Sequence, residues 1–561
     1  MSKERGRVVD EKGNQAPMQY VRLVAAWAEE CYGTYYAEEC YGTYYIVRED
    51  GMGVRLQEKE DNGMKENRTS FTTNVISLDN MGDPVERMCK WWNPSKQEVR
   101  VYGRMYFRAG VESEIRLFDT CYEQRSDLIG QGARCMIGIT DRTEYISAFE
   151  VVSDSSNSST NWNVEAETSV AHLTFLDAWI GQRKYDAKAS VRFDSVFVAI
   201  NGIIEWLDAK CTRASSIMGM QESMSFVAPD PVLLFENDDV AIYVVVRADK
   251  ANKDLATIRY IGGVQIVAKK GDMPFYGVAN SFEYWYGACY GFLGTLIGRH
   301  VVILDCIGSV SDGRSYGDHI ELRRLWRRGV NLLALKKVDA ENVRYPYHMI
   351  KEHLTSCFAS YLKLSDTATS EIVHLVYLQS ESSSFSRSVL PNLCFMFEGL
   401  QSKLFTIENK LVVKDEREES ESMIRLLGEG RDKKMQKWLE KHGKVHVTLD
   451  QRFRVVWDEV GIVYPYFKPG QVDVLIKYIK GHRNGYAHGF GGFGRANEFR
   501  LYMFTVFWFW TYMGVMVLVR CGLPVDVAYK CLSRVRCDYG ETASNLYNLL
   551  PSGSTGSPVA Q

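Results

Sequence analysis

Apolar residues change their spacing once along this chain, near Tyr345, and that change constrains the fold more than any other feature. Before it, from about residue 90 to 268, come short strand-like runs, several of which alternate apolar and polar positions: VRVYGRMYFR, SEIRLFD, RCMIGITD, SVRFDSVFVAI, DVAIYVVVRA and TIRYIGGVQIVAK. A period of two sets one face of an extended segment against a core and the other in water, so these runs predict strands. After it, HMIKEHLTSCFASYLKL, EIVHLVYLQ, VLPNLCFMFEGLQSKLF, ESMIRLLGEG, KKMQKWLEKHG, LDQRFRVVWDEVG and QVDVLIKYIKGHRNGYAH repeat apolar residues at i, i+3 and i+4. That spacing marks one face of a helix. The chain therefore predicts an α+β multidomain protein, with a β-rich N-terminal domain of sandwich or barrel-like type and an all-α domain after it.

The expected boundaries are an N-terminal extension over 1–89, the β-rich domain over 90–345, the helical domain over 346–550, and a disordered Gly/Ser/Pro tail over 551–561. Residues 270–345 are of mixed texture, and SDSSNSSTNWN (153–163) reads as a polar loop. AEECYGTYY occurs twice in tandem, at 28–36 and 37–45. Two copies are too few for a repeat architecture, so the duplication is given no functional weight.

Charge and cysteine usage narrow the function classes. Sixty-seven Lys and Arg against 70 Asp and Glu leave a net charge of −3, which excludes a general nucleic-acid coating protein. Any contact with a phosphate backbone has to come from a local patch, and residues 431–483 supply one: twelve Lys/Arg (431, 433, 434, 437, 441, 444, 452, 454, 468, 477, 480, 483) against six Asp/Glu (432, 440, 450, 458, 459, 473). The 13 cysteines include no CxxC pair, and Cys306 and Cys394 sit in apolar runs. They read as buried thiols of a reducing compartment. The charged start, MSKERGRVVDEKGNQ, has no apolar signal core, so a cytoplasmic location is expected. Residues 501–519 carry no charge over a length able to span a bilayer. They are read as a buried helix of the all-α domain, with a membrane-anchored sensor as the rival.

Chemistry concentrates in GQVDVLIKYIKGHRNGYAHGFGGFG. Val472, Leu475, Ile476 and Ile479 make one apolar stripe, and the glycines at 489, 491, 492 and 494 stop the helix. Its far end brings in Arg483, Asn484 and His488. Asn484 and His488 are four apart and share a face, whereas Arg483 and His488 are separated by roughly 140° around an ideal helix. An imidazole moves protons near neutral pH, and a guanidinium holds phosphate oxygens through a forked, permanently charged contact. Together they suit metal-free cleavage of RNA, in which the substrate's own 2′-OH attacks phosphorus. His482, Lys477, Lys480 and Tyr486 are candidates for RNA contact, the tyrosine by stacking on unpaired bases. The glycine run fits GxGxxG but follows a helix instead of a strand, so no dinucleotide cofactor is assigned. No cofactor of any other kind is expected. The ten histidines show no HExxH or clustered spacing, and no metal is assigned. Asn67 opens a glycosylation sequon by pattern only.

Arg483-Asn484 followed at the helix end by His488 resembles the Arg-x4–6-His motif of HEPN ribonucleases. VTLDQRFRVVWDEV, then IKYIKGHRNGYAHG, then a long apolar helix ending in VRCGL, is similar to the HEPN domain of ApeA-type abortive-infection proteins. Glu398 in FMFEGLQSKLF matches the acidic residue carried by that family on an earlier helix. KWWNPSKQEVRVYGRMYFRAGVESEIRLFD, IGITDRTEYISAFEV and RFDSVFVAINGIIEWLD resemble its N-terminal domain, so the likeness covers most of 90–545. The resemblance implies a helical HEPN bundle that dimerises, cuts RNA without metal, acts on the infected cell's RNA (tRNA being one candidate), and responds to a phage-derived trigger. It implies His488 as acid/base, Arg483 as phosphate binder, Asn484 as polar partner and Glu398 as support. His482, directly before the arginine, and Gly485 inside the motif depart from the pattern. The rival reading is a non-catalytic module that binds RNA or protein.

Overall fold

The computed structural model describes residues 35–40, 43–48, 53–57, 85–108, 112–118, 135–153, 171–209, 212–217, 221–226, 228–250, 258–298, 300–311, 319–326, 338, 340–364, 366–381, 388–426, 447–461, 471–487 and 496–534. A β-rich region is followed by helices. Its main sheet has fourteen strands, all paired antiparallel. In spatial order they are Val232–Glu236, Val240–Lys250, Ile258–Ala268, Ser195–Ile200, Ile303–Ser311, His319–Trp326, Asp177–Gly181, Tyr145–Phe149, Cys135–Thr140, Val85–Asn93, Lys96–Arg108, Glu112–Leu117, Ala171–Thr174 and Val152–Ser153. The runs read as strands from their alternation all enter this one sheet.

The alternation is visible in burial. Along Lys96–Arg108, Val101, Met105 and Phe107 are buried, while Tyr102 between them is 63% exposed. They pack with Trp91, Ile115, Leu117, Ile146 and Leu173 as one apolar layer. Gly103 is required by its surroundings, since a Cβ there would lie 2.5 Å from the Arg116 carbonyl across the ladder. The described part of the tandem duplication falls in a three-stranded antiparallel sheet of Tyr35–Cys40, Thr43–Arg48 and Gly53–Gln57.

Eleven α-helices occur among the described residues: α1 (Ile203–Leu207), α2 (Phe282–Ile297), α3 (Tyr347–Ile350), α4 (Leu354–Tyr361), α5 (Asp366–Glu381), α6 (Val389–Leu404), α7 (Thr406–Leu426), α8 (Leu449–Val460), α9 (Gln471–Ala487), α10 (Ala496–Arg520) and α11 (Val525–Leu532). By contacts the chain forms two compact units. One comprises Met1–Ile204, Asp208–Tyr286 and Val302–Lys337; the other comprises Glu205–Leu207, Gly287–Val301 and Val338–Gln561.

The core of the helical unit is aromatic. Phe397 of α6 stacks on Phe453 of α8 at 4.4 Å between centroids, and both meet Phe509 of α10. The Tyr512 hydroxyl donates to the Phe453 carbonyl at 3.3 Å, and Trp508 stacks on Tyr512. α10 alone among the described helices is long and apolar enough to cross a membrane, and 89% of its window Leu501–Arg520 is buried inside the protein. Its C-terminal Arg520 is held by Glu408 at 2.7 Å and Glu459 at 2.8 Å and lies over the Phe405 ring. The eight described cysteines are unbonded, with Cys306 and Cys394 buried.

Candidate functional site: an arginine–glutamate pair at the end of α9

The residues of interest lie on α6 and α9. α9 forms where its apolar stripe places it: Leu475, Ile476 and Ile479 are buried and Val472 half-buried, which turns the remaining face outward. Its last turns carry Lys480, His482, Arg483 and Asn484. α6 is anchored by Leu390, Leu393, Phe397 and Leu400, all buried. Glu398, next to Phe397, is consequently displaced about 100° from the core direction.

Arg483 and Glu398, 85 residues apart in sequence, meet. The closest approach is 2.9 Å, from Arg483 Nη2 to Glu398 Oε1, while the aligned hydrogen bond runs from Nη2 to Oε2 at 3.3 Å. Both side chains are a little over a quarter exposed, at 29% and 27%, so the pair sits at the surface within reach of a ligand. The guanidinium also lies over the Phe395 ring, 5.4 Å from its centroid. One turn before Glu398, burial pushes the Cys394 thiol up to about 12, so it stays a neutral packing group.

Behind this pair a set of polar contacts fixes the helices. Gln401, one turn after Glu398 and fully buried, exchanges two hydrogen bonds with Asn409 of α7, at 2.7 and 3.0 Å. Its Oε1 also accepts from Arg452 Nη1 of α8 at 2.5 Å. Burial holds the Arg452 guanidinium below its ordinary range, with the Glu398 carboxylate acting the other way. Glu398 thus lies in the field of two arginines. α8 itself starts at a capping box, where Thr448 and Gln451 exchange side-chain and backbone hydrogen bonds.

The other residues singled out in the sequence are placed as follows. Asn484 is exposed beside Arg483, and Lys477 is exposed on α9. Lys480 forms an ion pair with Asp450 of α8. His482 is half-buried between aromatic rings, 4.5 Å from Tyr478 and 5.5 Å from Tyr502 of α10, centroid to centroid. Tyr486 belongs to α9 by its backbone, and its side chain lies outside the described residues. His488 and the glycine run after it also lie outside them, as do residues 431–446 of the basic stretch.

Phe395 and Gln401 were not singled out in the sequence, and Arg452 only as one of the basic residues of 431–483. The signal for Phe395 was available: it stands three residues before Glu398, so a helix puts both on one side. Nothing local marked Gln401. Among the described residues no group of three metal-ligating side chains comes together. No family model matches this chain, and no curated protein or solved structure shows significant similarity to it.

Proposed function

We propose that this protein is a metal-independent endoribonuclease of the HEPN type, acting in the cytoplasm in ApeA-like abortive-infection defence against phage. The observation that carries the reading is the Arg483–Glu398 pair: it holds a guanidinium at the surface, five residues before His488, where a helix ends. In the proposed reaction Arg483 binds the non-bridging oxygens of an RNA phosphodiester. His488 takes the proton from the ribose 2′-OH or delivers one to the departing 5′-oxygen. The 2′-oxygen bonds to phosphorus as the bond to the 5′-oxygen breaks, leaving a 2′,3′-cyclic phosphate and a 5′-hydroxyl. Asn484 supplies a neutral hydrogen bond beside the phosphate, and Glu398 fixes the guanidinium. Lys477 and Lys480 extend the cationic surface along α9, and tRNA is a candidate substrate. A homodimer formed through the helical region would set two such motifs on one RNA, and a phage-derived trigger would act through the β-rich region.

The competing reading treats Arg483 and Glu398 as a strut between α9 and α6, in a module that binds RNA or a partner protein without cutting. Purified protein incubated with tRNA in EDTA separates them. Cleavage is expected in the wild type, reduced about 10²- to 10⁴-fold in His488→Ala and similarly lost in Arg483→Ala. Intact RNA with the wild type removes the enzyme reading.

A further inference from the structure

The Phe395 ring is 58% exposed, although its helix buries Leu393, Met396 and Phe397 on either side of it in sequence. It lies on the outer side of α6, one turn before Glu398 and beneath the Arg483 guanidinium. Exposed Asn392 stands one turn further toward the start of the helix, on the same side. A phenyl is more often buried than exposed, and this one, with a guanidinium over its ring, keeps more than half of its surface open to solvent beside a cation.

A nucleotide is a ligand that carries a flat aromatic face and a phosphate in one unit, joined through its sugar. In a duplex the base faces are already stacked on their neighbours, so only an unpaired nucleotide can offer one to a side chain. Resting on the ribonuclease reading above, we infer that Phe395 is the stacking platform of the Arg483 site and restricts it to unpaired nucleotides. The phosphate engages Arg483, the base lies on Phe395, and the Asn392 amide is placed to meet the base edge. The site thus takes single-stranded RNA or loops and turns duplex away.

The test measures binding separately from cutting. In a His488→Ala background, in EDTA, a short labelled single-stranded RNA and the same sequence as a blunt duplex are titrated by fluorescence anisotropy. The single strand should bind tighter than the duplex. Phe395→Leu should weaken single-strand binding about tenfold, Phe395→Trp should restore it, and neither should move duplex binding. Because the ring is exposed, the Leu variant should keep the parent melting temperature, and the Trp variant reports stacking even if it does not. Single-strand affinity unchanged in Phe395→Leu, or duplex bound as tightly as single strand, overturns the inference. Binding with this pattern but no cleavage by the wild type leaves the platform standing and removes the enzyme. No binding to either RNA removes both.

Discussion

Arg324 is a deeply buried charge of the β-rich unit. Its Nε and Nη2 reach both oxygens of Asp177, between 2.6 and 3.1 Å, and Nη1 donates to the Tyr286 hydroxyl at 3.0 Å. Tyr276 donates to the same carboxylate at 2.8 Å, and the guanidinium lies against the Phe275 and Trp326 rings. Burial, then the Asp177 charge, pushes the Tyr276 hydroxyl well above its ordinary range, so it remains a donor. Removing one member of such a pair strands the other. Arg324→Leu should cost about 3–5 kcal/mol by urea unfolding, with the Asp177→Leu double variant recovering part of it. Glu114 gives a pH signature. Burial pushes its carboxyl up, but hydrogen bonds and charge from Arg116 and His172 outweigh that and bring it below the ordinary glutamate range. A carboxyl lowered on folding contributes its stability above that range. The contribution is lost as pH falls through about 4.3 and below, because the unfolded chain takes the proton first. Glu114→Gln should flatten the acid limb of a stability–pH profile, and an unchanged limb would remove the assignment. Neither cluster was legible in the sequence, since Asp177 and Arg324 are 147 residues apart and no motif links them. Arg483 and Glu398 were each legible as candidate site residues because a resemblance named both; their ion pair was not.

Elements whose apolar residues fall on one face were legible from their period, and α10 from its long uncharged run. α6, α8 and α9 follow the runs that predicted them, and the strand over Lys96–Arg108 buries alternate residues from Val101 to Phe107. α2 was not predicted, because FEYWYGACYGFLGTLI is apolar all round and has no period to read. The run 348–364 reads as one helix but forms α3 and α4, since the His353 amide reaches back three residues to Ile350 instead of four. Two substitutions test these elements. Thr448→Ala removes the hydroxyl that caps α8 and should cost about 1 kcal/mol, read as a lower urea midpoint. Gly294 on α2 lets Val376 of α5 approach so closely that an added Cβ would sit 2.3 Å from a Val376 methyl. Gly294→Ala should therefore destabilise the helical unit by about 1–3 kcal/mol, and an unchanged midpoint would show that α2 and α5 can separate cheaply.

At the scale of the whole molecule, local patterns stop being informative. Alternation gives strands but not their order, and the run of fourteen places Ser195–Ile200 beside Ile303–Ser311, more than a hundred residues on. The helical unit likewise draws Gly287–Val301 from far upstream of its main body. A chain cut to begin at residue 346 would lack that segment and leave Val376 and Tyr361 uncovered, so faster amide exchange in α4 and α5 is expected than in the full protein. α10 carries a consequence for synthesis. Phe509 and Tyr512 complete the aromatic centre that Phe397 and Phe453 begin, yet they lie more than a hundred residues after Phe397. During translation the earlier helices leave the ribosome before Phe509 and Tyr512, and the aromatic centre closes fully only when α10 arrives. A nascent chain stopped short of α10 would expose the Phe397 and Phe453 rings that Phe509 and Tyr512 cover in the finished protein.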